Sequence, residues 1–136
     1  MLYDTHYKEG KKITFKKFDL NIAGLLFLPP TFDKNKKYPA VVLTHPGGGV
    51  KEQCSSLYGW HLAQNGYVAL AFDASHQGES EGMPRCLEDP TSRVEDIHSA
   101  VDYLVTLPFV DEEKIGAMGV CAGGGYTMNA IQTDLR

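Results

Sequence analysis

Cys121 stands in the run Gly119-Val120-Cys121-Ala122-Gly123, directly after a short apolar stretch and before Gly124-Gly125-Tyr126-Thr127. A nucleophile centred among small residues suits a sharp strand-to-helix turn that lifts the side chain above the end of a sheet. Gly119 and Gly123 leave room for the bend. The helix that follows directs backbone N–H groups and a partial positive charge at the sulfur, which favours the thiolate. The N–H of Ala122 becomes one donor for an oxyanion. The chemistry this suggests is attack on a carbonyl. The bland alternative is a buried cysteine in a glycine-rich turn.

A second donor is needed, and His45-Pro46-Gly47-Gly48-Gly49 offers it. Glycines after a strand let backbone N–H groups face inward unobstructed. Gly47 or Gly48 is the expected donor; the sequence does not separate them. A phosphate loop is the competing reading, but no Gly-Lys-Ser/Thr signature follows. The segment Asp73 to Ser80 reads as a self-bonded loop with a structural role. His76 and His98 are the histidines to weigh as a base for Cys121. His98 reads more simply as packed or superficial on a helix, and His76 lies in a loop of uncertain path. His45 is expected to order its own loop. Asp96 and Asp102 read as the exposed side of a helix.

The elements that must hold these residues follow from patterning. Ile13–Phe18 and Asn21–Leu28 suggest a hairpin or meander, and Pro29-Pro30 stops the second strand. Tyr38–Thr44 and Tyr67–Phe72 are continuous apolar runs of the kind covered on both faces in a parallel sheet. Glu52–Asn65 has helical spacing through Leu57, Trp60 and Ala63, with Gly66 as its stop. Val94–Leu107 places Val94, Ile97, Val101, Leu104 and Val105 on one face, and Pro108 ends it. Ile115–Val120 is a last strand, and Ala122 opens a last helix. Strands alternating with helices imply an α/β fold with a predominantly parallel sheet flanked by helices. His45, Asp73 and Cys121 each follow a strand, so all three should lie on one rim, where such sheets bind ligands.

Composition narrows the field. The chain has 136 residues, 43% of them hydrophobic, and a net charge of -4. That suits one globular domain and gives no sign of a nucleic-acid partner. No run is long enough to span a membrane and the start lacks a signal-peptide core, so no membrane role is expected. Cys54, Cys86 and Cys121 show no metal or redox spacing, which favours a reducing cytoplasm and no metal or cofactor. Lys8, Lys11, Lys12, Lys16 and Lys17 read as the solvated side of an edge strand.

Four stretches, taken in order, resemble the N-terminal half of an α/β-hydrolase of the dienelactone hydrolase branch. They are His45 to Gly49, Asp73 to Ser80, the Val94–Leu107 helix leading to Asp111, and Gly119 to Gly124. The resemblance implies a nucleophile, an acid and a histidine in that chain order. Cys121 matches the nucleophile, with Cys in place of the commoner Ser. The acid and histidine of that family come from loops after later strands. Residues 1–136 are therefore expected to form a single partial, truncated domain. It would be paired with another copy or completed by a C-terminal half, since an apolar last strand would otherwise be an open edge. The expected substrate is a small ester, lactone or related acyl compound. The rival expectations are a non-catalytic remnant acting as an oligomeric binding module and, more weakly, a thiol redox sensor.

Overall fold

A computed structural model describes residues 5–134. A short 3-10 turn, His6–Glu9, precedes five strands and three helices. The strands are β1 (Lys11–Lys17), β2 (Leu20–Phe27), β3 (Tyr38–Thr44), β4 (Val68–Phe72) and β5 (Val110–Gly119); the helices are α1 (Cys54–Gln64), α2 (Pro90–Thr106) and α3 (Ala122–Thr133). The sheet order is β1-β2-β4-β3-β5. β3 pairs in parallel with β4 and with β5, as the crossover helices require. β1 and β2 form the expected hairpin, and β2 joins β4 antiparallel, so the complete sheet is mixed.

Burial explains the layers. Every residue of β4 is buried, so it is covered on both faces. On one face Phe15, Ile22, Leu26, Val42, Leu70 and Phe72 pack with Ile97, Ala100 and Leu104 of α2. On the other, Leu25, Phe27, Leu43, Ala69 and Ala71 pack with Ala63 of α1. Each large aliphatic or aromatic side chain buried this way contributes roughly 1.5–3 kcal/mol. α1 approaches β2 closely because position 59 is glycine: a Cβ there would lie 2.9 Å from the Phe27 ring. Since α1 and α2 cover opposite faces, the chain reverses its winding direction at β3. A crevice opens beyond β3 at such a reversal.

The structure revises four details. α2 starts at Pro90, four residues before Val94, because the Asp89 carboxylate caps it by accepting from the Thr91 and Ser92 N–H groups. β5 starts at Val110, because Tyr38 pairs with Val110 ahead of an irregularity in the ladder. Lys17 is not solvated; it is 3% exposed. Its Nζ donates to Ser92 Oγ (2.6 Å) and to the Ser92 carbonyl (2.9 Å), and lies 2.9 Å from Asp96 Oδ1. Asp96, expected on the exposed side of α2, is fully buried. Its Oδ1 is held by that ion pair without an aligned hydrogen bond, while Oδ2 accepts from the Ser75 N–H at 2.9 Å. The pair locks β1 and α2 onto the loop after β4. Asp102 is exposed, as expected.

Candidate active site

The parallel register fixes the rim. Thr44 of β3 aligns with Phe72 of β4 and with Gly119 of β5. The next residues, His45, Asp73 and Val120-Cys121, therefore leave the sheet side by side. Cys121 takes φ 57° and ψ −122°, a conformation that side chains rarely adopt, and N-caps α3. Such backbone costs of order 1–3 kcal/mol and must be held by its surroundings. The holding is visible. A Cβ on Gly119 would collide with the Gly123 carbonyl, and a Cβ on Gly123 with the Thr44 and His45 carbonyls. Val120 N–H donates to the Thr44 carbonyl (3.2 Å) and Gly123 N–H to the Val120 carbonyl (3.0 Å). The bend is clamped between β3 and its own helix, and Cys121 is exposed.

The glycine loop meets this bend. A Cβ built on Gly47 lies 3.6 Å from the Ala122 Cβ, so the two residues face each other. Gly48 has φ +70° and open space around it. Among the described residues, the backbone N–H groups of Gly47, Gly48 and Ala122 have no acceptor. Both glycines remain candidates for the second donor, with Gly47 the one in contact with Ala122.

His45 orders its loop, as expected. It is fully buried. Its Nδ1 lies 2.6 Å from the Pro46 carbonyl and its Nε2 accepts from the Ala74 N–H at 3.0 Å. These partners assign the proton to Nδ1 and make the ring neutral. Burial lowers the His45 pKa, the Arg93 charge adds to this, and the bond to Pro46 opposes it. Folding stability should therefore fall as pH drops below about 6.5, since the unfolded chain then binds a proton that the fold refuses. Urea midpoints at pH 7.5 and 5.5 should show the loss, and His45→Gln should flatten it. An equal loss in the variant would assign it to another group.

Asp73 also has the structural role expected of its loop. Its Oδ1 accepts from the Lys51 N–H (2.8 Å), and its Oδ2 from Lys51 Nζ (2.7 Å) and the Glu79 N–H (2.9 Å). Lys51 is 1% exposed and also contacts Glu52 at 2.7 Å and Glu79 at 2.6 Å. Burial alone would lower its pKa; hydrogen bonds to Asp73, Glu52 and Glu79 outweigh that and hold it well above the usual lysine range. Glu52, Asp73 and Glu79 are close enough together to suggest a cation site. The Lys51 ammonium already supplies the positive charge there, so the cluster is an ion-pair network around a buried lysine, with Glu79 on its exposed side.

Neither candidate base reaches the sulfur. His76 Nδ1 lies 3.1 Å from the Pro84 carbonyl, and His98 Nε2 lies near the Ala130 carbonyl and Thr133 Oγ1. Among the described residues, no side chain hydrogen-bonds the Cys121 thiol. An apolar groove bounded by Ile97, Val101, Ile115, Ala130 and Ile131 lies between α2, β5 and α3; His98 lines it, whereas Cys121, Ala122, Gly47 and Gly48 do not.

Sequence reasoning missed a cluster beside the glycine loop. Arg93, 2% exposed, donates through NH2 to the His45 carbonyl at 2.5 Å and through NH1 to both Glu88 oxygens at 3.2 Å. Its guanidinium stacks 4.9 Å from the Tyr126 ring centroid. The Tyr126 hydroxyl donates to Glu88 Oε1 at 2.9 Å. The glycine loop, α2 and α3 thus converge on one buried cation. The signal was available: Arg93 lies one helical turn before Ile97, on the apolar face.

A reversing α/β sheet with a strained residue at the strand-to-helix bend after its last parallel strand is the architecture of the α/β-hydrolase fold. Residues 22–135 match the family described as "Dienelactone hydrolase family", and the chain belongs to that family. It is 53% identical over 117 residues to "Uncharacterized protein YcjY" of Escherichia coli strain K12, covering 86% of this chain and 38% of that protein. It is 34% identical to "Thiohydrolase aneE" of Aspergillus aculeatus, covering 100% of this chain and 42% of that protein. The crystal structure of the α/β hydrolase GrgF from Penicillium sp. sh18 superposes with a TM-score of 0.85 at 26% identity, over 92% of this chain and 42% of that one. The chain thus spans about two fifths of the relatives it matches. Among the described residues, no helix is long and apolar enough to cross a membrane.

Proposed function

We propose that this chain is the nucleophile-bearing part of an acyl hydrolase acting on an ester, lactone or related acyl bond. The observation that carries this reading is Cys121: an exposed thiol on a strained φ 57° bend, beside amides that lack acceptors. In the proposed reaction Cys121 Sγ, as thiolate, attacks the carbonyl carbon. The carbonyl oxygen becomes an oxyanion and accepts from Ala122 N–H and from Gly47 or Gly48 N–H. Collapse expels the alkoxide, which takes a proton, and leaves a thioester on Cys121. Water then adds to the thioester, releasing the acid and restoring the thiol. The proton transfers need a base. We assign it to a histidine from the part of the family's length that these 136 residues do not span, in the order the family resemblance implies. The thiohydrolase relative supports acyl chemistry on this scaffold.

The test is site-resolved alkylation together with turnover of p-nitrophenyl acetate. Cys121 should react with iodoacetamide faster than Cys54 and Cys86 at neutral pH. Any ester turnover should disappear in Cys121→Ala. Labelling no faster than at the other two cysteines would instead favour a non-catalytic binding module.

A further inference from the structure

The Glu88 carboxylate occupies a telling position. Its Oε1 lies 3.9 Å from where a Gly47 Cβ would be, and the Ala122 Cβ lies 3.6 Å from the same point. Glu88 and Ala122 thus both adjoin Gly47, in the loop proposed to carry the oxyanion donors. Tyr126, one turn into α3, holds Oε1, while Gln77 Nε2 donates to Oε2 at 2.5 Å. The carboxylate is therefore fixed in place.

Its charge is directed outward. The side chain of Glu88 is 36% exposed, whereas its partner Arg93 is 2% exposed behind it. Two grooves flank the loop-and-elbow junction. One is bounded by Gly47, Gly48, Gly49, Gln77, Cys86 and Glu88. The other runs along Pro90, Thr91, Val94, Ala122 and Tyr126. Among the described residues lining the two, Glu88 alone carries a formal charge. The guanidinium of Arg85, in the same loop, turns onto the carbonyls of Gly78, Ser80 and Gly82. Burial would raise the Glu88 pKa, but the bonds from Tyr126, Arg93 and Gln77 with the Arg93 charge lower it, so it is ionised at neutral pH.

We propose that Glu88 sets the charge preference of the acyl site: it favours substrates whose groups beside the reacting carbonyl are neutral or cationic, and disfavours those bearing a carboxylate. This rests on the reading of Cys121 as nucleophile. It deepens that reading by naming a substrate class and the residue that selects it. The physical basis is Coulombic. Oε1 lies no more than about 7.5 Å from the Ala122 Cβ, and removing a unit charge about 7 Å from a charged reagent shifts its cation-to-anion preference by roughly sevenfold in water, less with salt. The bias acts on any charged reagent that approaches Cys121, whether or not turnover occurs.

Three methanethiosulfonates supply the probe: the neutral methyl reagent, the cationic ethyltrimethylammonium reagent and the anionic ethylsulfonate reagent. In each, the Cys121 thiolate attacks the sulfenyl sulfur, a disulfide forms and methanesulfinate leaves. Rates are read at Cys121 by peptide mass spectrometry, with Cys54 as internal reference. The cation-to-anion rate ratio at Cys121 should fall about threefold to tenfold in Glu88→Gln, while the neutral reagent and the Cys54 ratio change little. The Gln variant keeps an acceptor for Tyr126, and its urea midpoint checks that it folds. A Cys121 ratio unchanged by Glu88→Gln, with Cys121 still reactive, overturns the role of Glu88 and leaves the nucleophile reading intact. A Cys121 inert to all three reagents overturns both.

Discussion

Gly123→Ala should destabilise the chain by about 3 kcal/mol, although helix propensity alone favours the substitution. Replacing Gly by Ala within a helix gains up to about 1 kcal/mol. Against that, the new methyl would run into the Thr44 and His45 carbonyls where β3 ends. Those are backbone atoms at the end of a paired strand and cannot rotate aside. Overpacking of this kind costs typically 1–3 kcal/mol and more where the obstacle is rigid. Gly125→Ala is the matched control. It lies two residues further along α3, and nothing lies within 4 Å of its added Cβ. It should be stabilising by about 0.5–1 kcal/mol. Urea unfolding of the two variants should thus move the midpoint in opposite directions. A Gly123→Ala midpoint that rises with that of Gly125→Ala would contradict the close contact between the bend and β3.

The second large effect is expected at Asp73. Asp73→Ala should cost about 3–5 kcal/mol, because it leaves a buried lysine without its main counter-charge. It also strands two backbone donors, the N–H groups of Lys51 and Glu79. Asp73→Asn keeps one acceptor and the side-chain shape, so it should lose less than Ala. Guanidinium unfolding at pH 7 with both variants gives the ranking. A loss below about 1 kcal/mol for Ala would mean that Lys51 escapes to solvent once released. The substitution would also loosen the rim, since a Cβ at Gly78 would press directly on the Asp73 carboxylate.

The parts of this fold that were legible in the sequence are those with a local steric or periodic cause. The bend at Cys121 was readable because only small residues fit beside it, and Gly119 and Gly123 carry that constraint in their identity. β4 was readable because Val68 to Phe72 contains no polar residue to place outward. The start of α2 had a signal in Asp89-Pro90, a cap followed by a proline at the first helical position, but apolar spacing directed attention to Val94. Lys17 and Asp96 were misread because charged residues are solvated unless a partner exists, and the partner lies 79 positions away. Nothing local announces such a pair. Lys51 and Asp73 share that difficulty at 22 positions. Of the proposed site, Cys121, Ala122, Gly47 and Gly48 come from neighbouring strand ends and could be read. Glu88 and Arg93 required the path of a long loop, which composition does not determine.

The strand order has one more implication. Among the described strands β5 comes last in the chain and pairs beside β3, at the opposite side of the sheet from the hairpin. On the ribosome, the hairpin, β3, α1 and β4 emerge first and can begin to pack before it appears. The Cys121 bend is shaped only when β5 reaches Thr44 and α3 closes against it. Until then Cys121 lacks its bend, so the reactivity proposed for it would arise only once β5 and α3 are in place.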